Sequence, residues 1–216
     1  MLTIEELSNE IISVHRMDKK TVVSICGAAD LGKSYLSKQI TESLIDRNLS
    51  AVHFTLDSYL MERKTRIERG LSGYNIEAYN IEEALKNLIE LKNGQSIAFK
   101  PYDHKVGQKA SDSISMNSSD VIIFDGLHSM HSSFLPYIDI TIFVYTKDDL
   151  LKKIRKEADL NKRNYTTEFS EKISGIEFNL YKTNVEIYKE RANCLLFLEA
   201  KWKYKLTRIR HTSELT

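Results

Sequence analysis

The feature that most constrains this chain is the glycine-bounded segment at positions 27–34, Gly-Ala-Ala-Asp-Leu-Gly-Lys-Ser. A β-branched run at 20–26 (KTVVSIC) precedes it, and a helical pattern follows at 34–47. In this strand–loop–helix setting, the two glycines let the backbone curl so that successive N–H groups point at phosphate oxygens. The helix N-terminus adds partial positive charge at the same place. The pattern therefore predicts a phosphate-binding loop in a nucleotide-binding domain.

Two side chains of the loop have specific predicted tasks. We expect Lys33 to reach the β- and γ-phosphates and the Ser34 hydroxyl to complete a Mg²⁺ shell. A glycine turn between a strand and a helix, with no ligand, is the alternative interpretation. The predicted nucleotide-binding residues are Gly27, Ala28, Ala29, Asp30, Leu31, Gly32, Lys33, Ser34 and Tyr35.

Composition limits what such a domain binds. Hydrophobic residues (42%) and charged residues (28%) are in the proportions of a globular protein, and the net charge of +1 argues against broad adhesion to nucleic acid. The N-terminal segment mixes Glu5, Glu6 and Glu10 with apolar residues, which fits neither a signal peptide nor a membrane span. Cys26 and Cys194 lie in apolar runs and are predicted as buried core residues. We expect a cytoplasmic protein with no membrane or nucleic-acid partner, and leave homo-oligomerisation open.

Helical patterns alternate with apolar runs along the chain, which predicts an α/β fold: a mostly parallel sheet with helices on both faces, in three layers. No linker or repeat interrupts this alternation, so we predict one domain over residues 1–216. The predicted helices are 2–17, 34–47, 82–91, 147–160 and 171–189. The predicted strands are 20–26, 51–56, 120–124, 138–145 and 193–198, with 96–99 paired to 113–116.

Two carboxylates follow predicted strands. Asp57 comes just after the run AVHFTL, and ligands of parallel sheets bind beyond the carboxyl ends of the strands. It could accept the proton of a hydroxyl that attacks the γ-phosphate. Asp125 closes the run DVIIF in a Walker-B arrangement that holds Mg²⁺ directly or through water. For both residues a helix or turn cap is the open alternative.

Five segments, in this order, resemble the uridine kinase/phosphoribulokinase family of P-loop small-molecule kinases. They are GAADLGKS at 27–34, LDSYL at 56–60, YNIEAYN at 74–80, KPYDH at 100–104 and FDGLHSM at 124–130. A basic stretch at 152–163 is similar to the family's lid. The strand that begins at 193 is similar to the family's last core strand.

The resemblance implies a P-loop kinase fold with a helical lid at about 152–170. It implies transfer of the ATP γ-phosphate to a hydroxyl of a small metabolite (a nucleoside, sugar or sugar phosphate), with ATP and Mg²⁺ as cofactors. Asp57 would be the general base, Lys33, Arg155 and Arg163 would stabilise the transferred group, and Ser34 and Asp125 would hold the metal. A solvated helix face is the alternative for the lid cations. The predicted acceptor-binding residues are Tyr59, Tyr74, Tyr102, His104 and His128.

Departures from the family pattern concern mainly the acceptor. The family usually has Glu at the position where this chain has Asp125. Tyr74 stands where uridine kinases have an Asp that grips the ribose, and their pyrimidine-reading histidine falls near Gly107. The segments KPYDH at 100–104 and Gly-Leu-His at 126–128 resemble phosphoribulokinases more closely than uridine kinases. In the lid, the spacing between Arg155 and Arg163 is longer than is usual in the family. The cations after Asp57 could bind a phosphorylated sugar or form a solvated face; they are Arg63, Lys64, Arg66 and Arg69.

Two other functions compete with a kinase. Thr146-Lys-Asp-Asp149 matches the [NT]-K-x-D pattern of GTP-binding switches, although the D-x-x-G segment they need after the middle strand is missing. A helix N-terminus capped by Thr146 is the simpler interpretation. The altered acceptor motifs also allow a non-catalytic nucleotide-binding or regulatory protein on the same fold.

Overall fold

The computed structural model describes residues 2–209, which contain ten strands and six α-helices. The strands are β1 (Thr21–Gly27), β2 (Ala51–Thr55), β3 (Ile97–Phe99), β4 (Tyr102–Asp103), β5 (Gln108–Lys109), β6 (Ile114–Met116), β7 (Val121–Asp125), β8 (Ile140–Tyr145), β9 (Cys194–Ala200) and β10 (Lys203–Ile209). The helices are α1 (Leu2–Val14), α2 (Lys33–Ile45), α3 (Arg63–Glu68), α4 (Ile81–Lys92), α5 (Asp148–Asn161) and α6 (Thr167–Asn184).

Six strands form the central sheet, in the order β10-β9-β8-β1-β7-β2. All neighbours are parallel except β10, which pairs antiparallel with β9. The predicted α/β fold with a mostly parallel sheet is confirmed. The ends of the predicted single domain, Met1 and 210–216, lie outside the described residues.

The core has two parts because successive side chains of a strand point to opposite faces of the sheet. On β1, Val22 belongs to a cluster with residues of α4 and β3, and Val23 to a cluster with residues of α1 and α2. All seven residues of β1 are buried, as expected for a strand covered on both faces. Cys26 and Cys194 are buried free thiols in β1 and β9, as predicted, and burial raises the pKa of both to about 12.

Strand β10 differs from the sequence prediction, in which 193–198 is the last strand. Its side chains alternate between exposed and half-buried, so that only every second one packs on the core. Tyr204 and Leu206 make those contacts, whereas Lys203 and Lys205 face outward. The strand is therefore half polar, and no continuous apolar run marks it in the sequence.

Other elements agree with the sequence patterns apart from their ends. The predicted pairing of 96–99 with 113–116 is confirmed by the antiparallel ladder of β3 with β6. Helix α6 begins earlier than predicted, because the Thr166 side chain accepts a hydrogen bond from the N–H of Phe169 and caps it. The predicted helix over 171–189 also ends early, and Glu186–Arg191 forms a 3₁₀ turn instead. Among residues 2–209, no helix is both long and apolar enough to cross a lipid bilayer.

Candidate active site

The phosphate-binding loop joins β1 to α2, and both of its glycines are required by close contacts. Gly27 has a φ of 140°, and a Cβ atom there would lie 2.2 Å from the carbonyl oxygen of Val144. Gly32 has a φ of 77°, which glycine adopts without steric cost. A Cβ atom on Gly32 would meet the ring of Trp202 and the hydroxyl of Tyr204, each at 2.3 Å. The loop is therefore held tightly between the sheet and the β9–β10 hairpin.

Lys33 and Ser34 open helix α2, as the motif predicts. The Lys33 ammonium donates to the carbonyl oxygen of Ala28 at 2.9 Å, so the loop itself positions it. The Ser34 hydroxyl donates to Oδ2 of Asp125 at 2.8 Å. The two predicted metal-binding residues are therefore in contact.

The surroundings of Asp125 fit a magnesium ion. Its Oδ1 atom is buried and has no hydrogen-bond partner among the described residues. Nε2 of His53 lies 3.0 Å from it, without the geometry of a hydrogen bond. A serine hydroxyl and a carboxylate whose Oδ1 atom accepts no hydrogen bond within the described residues, beside a phosphate-binding loop, are the kind of oxygen donors that Mg²⁺ takes. The shorter side chain of Asp, compared with the usual Glu, still brings the carboxylate to Ser34.

His53 was not singled out in the sequence, although a histidine within the apolar run AVHFTL was a usable signal. It lies on β2, close to the carboxylates of Asp125 and Asp57. Burial lowers the pKa of His53, but the carboxylates of Asp125 and Asp57 raise it by more, so the pKa lies above its ordinary value. His53, beside the predicted metal ligand, therefore takes up a proton more readily than an ordinary histidine.

Asp57 lies in a 3₁₀ turn directly after β2. The N–H of Asp57 donates to Oγ1 of Thr55 at 3.3 Å, so Thr55 is the cap of this turn and the Asp57 carboxylate is left for other contacts. Oδ2 of Asp57 lies 2.9 Å from Nε2 of His104. Burial raises the pKa of Asp57, but His104, Lys33 and His53 lower it by more, and the pKa lies below its ordinary value. The carboxylate is therefore ionised near neutral pH, as a general base has to be.

A cavity of about 280 Å³ brings the loop, the lid region and the acids together. It opens beyond the carboxyl ends of the parallel strands, as expected for this class of sheet. Its lining includes most of the predicted site residues, namely Ala29, Asp30, Gly32, Lys33, Ser34, Tyr35, Asp57, Tyr74, His104, Arg155 and Arg163.

Other predicted site residues lie outside the cavity lining. Tyr59 is in the core against Phe54, where its hydroxyl accepts a hydrogen bond from Asn87 at 2.5 Å. His128 is also buried, with Nδ1 3.3 Å from the Tyr188 hydroxyl, and burial lowers its pKa to about 4. Both side chains pack within the protein, and neither is part of the cavity lining.

The remaining predicted residues support the lining from behind. Gly27, Ala28 and Leu31 are buried parts of the loop backbone, and Asp125 reaches the site through Ser34. Tyr102 contacts the ring of His104, with centroids 5.1 Å apart.

The lid region carries a cluster of ion pairs around Asp30, a residue of the phosphate-binding loop. Oδ2 of Asp30 lies 3.0 Å from Arg163 and 3.5 Å from Arg155, and Oδ1 lies 3.3 Å from Lys162. Arg155 also pairs with Asp159 and Glu177. The predicted lid arginines therefore lie at the loop, although they come from 125 or more positions further along the chain.

Charge within this cluster is stabilised by its partners. Burial raises the pKa of Asp30, but Arg163, Arg155 and Lys162 lower it by more, and the carboxyl stays below its ordinary pKa. Asp30 also has a left-handed backbone, with a φ of 65°. Asp adopts this conformation more readily than most other non-glycine residues.

Two of the four cations after Asp57 line the cavity, both from α3. Arg63 donates to the carbonyl oxygens of His104 and Lys105, and Arg66 donates to the carbonyl oxygen of Met61 and to the Tyr102 hydroxyl. Within the described chain neither guanidinium is paired with a carboxylate. The other two cations, Lys64 and Arg69, are exposed and lie outside the lining.

Comparison with protein families identifies this arrangement. The model of the phosphoribulokinase/uridine kinase family matches residues 22–193. The chain belongs to this family. Similar curated members are the uridine kinase of Macrococcus caseolyticus, 27% identical over 154 residues (70% of this chain and 75% of that protein), and that of Ureaplasma urealyticum, 25% identical over 178 residues (80% and 85%).

Solved structures share the fold of this family member. Phosphoribulokinase from Rhodobacter spheroides superposes with a TM-score of 0.68 at 17% identity, covering 83% of this chain and 70% of that chain. D-glycerate 3-kinase from Cryptococcus neoformans superposes with a TM-score of 0.69 at 13% identity, covering 95% and 99%. The protein is thus a P-loop small-molecule kinase, which confirms the predicted reaction class.

The segment that suggested a GTP-binding switch has a structural role in this kinase. The Thr146 hydroxyl donates to the carbonyl oxygen of Leu198 at 2.7 Å, and Asp148 pairs with Lys182. None of the four residues at 146–149 lines the cavity. The predicted helix start is confirmed, but its cap residue is Lys147 instead of Thr146.

Two residues near the C-terminal end of the described chain cover the loop, and neither is among the predicted site residues. The Tyr204 hydroxyl donates to the carbonyl oxygen of Leu31 at 2.8 Å, and Trp202 lines the cavity beside Tyr35. Both residues belong to the unpredicted β9–β10 hairpin and lie beyond the family-matched segment. A lone tryptophan between two lysines was the available signal.

Proposed function

We propose that this kinase transfers the γ-phosphate of ATP, with Mg²⁺, to a hydroxyl group of a small anionic metabolite. The observation that carries the proposal is one cavity lined by the lysine of the phosphate-binding loop, an ionised carboxylate and two guanidinium groups that pair with no carboxylate among residues 2–209. These are Lys33, Asp57, Arg63 and Arg66.

The donor side of this proposal rests on the loop. Its backbone and Lys33 would hold the β- and γ-phosphates, and Ser34 and Asp125 would hold Mg²⁺. When bound, the metal ion neutralises charge on the phosphate oxygens. Arg155 and Arg163 lie at the same loop, where guanidinium groups stabilise charge on the transferred group.

The acceptor side rests on Asp57 and His104. The carboxylate of Asp57 would take the proton of the acceptor hydroxyl while that oxygen attacks the γ-phosphorus and the bond to the β–γ bridging oxygen breaks. His104 keeps this carboxylate ionised and fixes its orientation through the 2.9 Å contact. Tyr74, on another wall of the cavity, accepts a hydrogen bond from the N–H of Ala29 and so ties the acceptor wall to the loop.

An anionic acceptor is favoured over a neutral nucleoside by the position of the two arginines. Half-buried guanidinium groups that face a cavity without a carboxylate partner bind carboxylates or phosphates well. Arg63 also occupies the space at Gly107, where a Cβ atom would lie 2.7 Å from Cβ and 2.8 Å from Nε of Arg63. That is the position where uridine kinases are expected to carry their pyrimidine-reading histidine, so the arginine replaces a base-reading group with an anion-binding one.

The test compares ATP consumption with matched pairs of acceptors that differ only in an anionic group. Suitable pairs are ribose and ribose 5-phosphate, glycerol and glycerate, and uridine and uridine 5′-phosphate. ADP release and a phosphorylated product, identified by mass spectrometry, are expected only with anionic members. Turnover of uridine or ribose without turnover of their anionic partners would reject the anionic acceptor, and ADP release independent of every acceptor would reject the transferase.

A further inference from the structure

The turn between β9 and β10 places the chain's single tryptophan at the phosphate-binding loop. The six-membered ring of Trp202 lies over Gly32, so close that a Cβ atom there would be 2.3 Å from Cζ3. Its ring centroid is 4.8 Å from that of Tyr35, with the planes tilted by 36°. Both aromatic side chains line the cavity, directly beside Lys33 and Ser34.

Sheet order fixes which end of a nucleotide lies near Trp202. Asp125 ends β7 and Asp57 follows β2, so both acids lie on one side of β1 and its loop. Trp202 joins β9 to β10, on the opposite side of β1. The reacting phosphate has to point toward Asp57, and therefore the nucleoside end points toward the β9–β10 hairpin.

Trp202 is partly exposed in the turn between β9 and β10. Its φ of 62° is in the left-handed region, which turns between antiparallel strands commonly use. The residue remains 37% exposed and lines the cavity, so part of its side chain is accessible to a bound ligand.

We infer that Trp202, supported by Tyr35, is the platform on which the nucleobase of the donor nucleotide stacks. This inference rests on the proposed function, since it takes a nucleoside triphosphate as the donor. An aromatic face recognises the π-face of the base and leaves the phosphates to the loop. Trp202 lies outside residues 22–193, the segment that establishes the family, whereas Tyr35 lies within it.

The single tryptophan allows a direct measurement on the 216-residue chain. Its fluorescence is expected to change on titration with ATP, and much less on titration with inorganic tripolyphosphate, which has no base. Calorimetric affinities for the same two ligands then separate base binding from phosphate binding.

Two variants decide the role of the ring. Trp202→Gly keeps the left-handed backbone without cost and removes the ring, and Trp202→Phe retains an aromatic face. We expect Trp202→Gly to lose about ten- to a hundredfold in ATP affinity, in line with base–aromatic stacking elsewhere. Its affinity for tripolyphosphate should stay within about twofold of the wild type, and Trp202→Phe should recover most of the ATP affinity.

Other outcomes separate this inference from the proposed function. Unchanged ATP affinity in Trp202→Gly, or equal weakening of both ligands, would refute the platform and leave the kinase proposal intact. A wild-type protein that binds tripolyphosphate but not ATP would refute both. If ATP stacks as expected but no acceptor is phosphorylated, only the proposed acceptor reaction is wrong.

Discussion

The imidazole of His104 lies 2.9 Å from the carboxylate of Asp57. His104 belongs to a hairpin and is 47 positions further along the chain than Asp57. Asp57 is set by the 3₁₀ turn after β2, and His104 by the β4–β5 hairpin. The contact therefore joins the proposed base to the wall of the acceptor pocket. Both residues also touch the same cavity as Lys33, so the pair faces the position of the reacting phosphate.

Replacement of the proposed base should remove chemistry while leaving the donor site intact. For Asp57→Asn we expect kcat to fall by about 10²- to 10⁴-fold, the usual contribution of general base catalysis. ATP affinity, measured by calorimetry, should change little, because the loop contacts remain. Asp46→Asn, at an exposed position after α2, is the matched control. Near-normal turnover in Asp57→Asn would rule out the base role.

Loss of the histidine partner should move the acid limb of the pH profile. The pKa of Asp57 is held below its ordinary value, so the carboxylate remains ionised as pH falls until that lowered pKa is reached. In His104→Gln the pKa of Asp57 rises, and the acid limb of kcat/KM shifts to higher pH. The stability contributed by this contact is present above the unfolded-state pKa and disappears as pH falls through the folded-state pKa. The control is His15→Gln, before the N-terminal end of β1, which should leave the acid limb of kcat/KM unchanged. An unshifted acid limb in His104→Gln would contradict the role of His104 as the partner of Asp57.

The two α3 arginines should act on the acceptor alone. Arg63→Ala and Arg66→Ala are each expected to raise the acceptor KM by about ten- to a hundredfold, the loss of one hydrogen bond to a charged group. The KM for ATP should stay constant. Lys64→Ala removes an equal charge from the same helix at an exposed position, and it should behave like the wild type. Equal effects of the three substitutions would mean that only net charge matters.

Metal dependence should report on Ser34 and Asp125. In Asp125→Ala and Ser34→Ala, the Mg²⁺ concentration for half-maximal activity should rise by at least about tenfold, because each variant loses an oxygen donor to a hard cation. Removal of Mg²⁺ with a chelator should abolish turnover of the wild type. Ser37→Ala, one turn later on α2, provides the control, because the Ser37 hydroxyl donates to the Lys33 carbonyl oxygen and lies outside the cavity lining. An unchanged Mg²⁺ requirement would remove both residues from the metal site.

The loop carboxylate should stabilise the protein most strongly when no nucleotide is bound. Asp30 is nearly buried among three cations, and Asp30→Asn leaves them partly unpaired, so we expect a loss of about 3 kcal/mol in the free energy of unfolding. With saturating ATP the loss should be smaller, because phosphate oxygens replace the missing carboxylate. Chemical denaturation with and without ATP measures both values. Asp18→Asn, in an exposed ion pair, should lose less than about 1 kcal/mol; an equal loss for Asp30→Asn in both conditions would argue against the exchange.

Local signals allowed the loop and the strands around it to be predicted. The glycine spacing, the buried run before it and the helix after it are all encoded within about 30 consecutive residues. Asp57 and Asp125 were found for the same reason, because each directly follows an apolar strand. Their metal and acid–base roles remain predictions.

Long-range contacts and side-chain directions could not be predicted in this way. Asp57 and Tyr59 belong to one turn, yet one lines the cavity and the other packs in the core. No local pattern connects Asp30 to Arg163, 133 positions later. The half-polar strand β10, and with it Trp202, had no apolar run to reveal it.

The ion cluster at Asp30 has a consequence for how ionic strength affects the enzyme. The three cations Arg155, Lys162 and Arg163 are matched within the protein by the carboxylates of Asp30, Asp159 and Glu177. If these cations bind nucleotide as proposed, an arriving phosphate would exchange with carboxylates of the protein and would not displace a layer of mobile counterions. Because the Arg155 and Arg163 pairs are mostly buried and so screened far less than exposed ones, we expect their share of nucleotide affinity to depend only weakly on salt concentration. The anion affinity of an open basic groove would fall as the salt concentration rises, whereas this loop contains its own counter-anion, the carboxylate of Asp30.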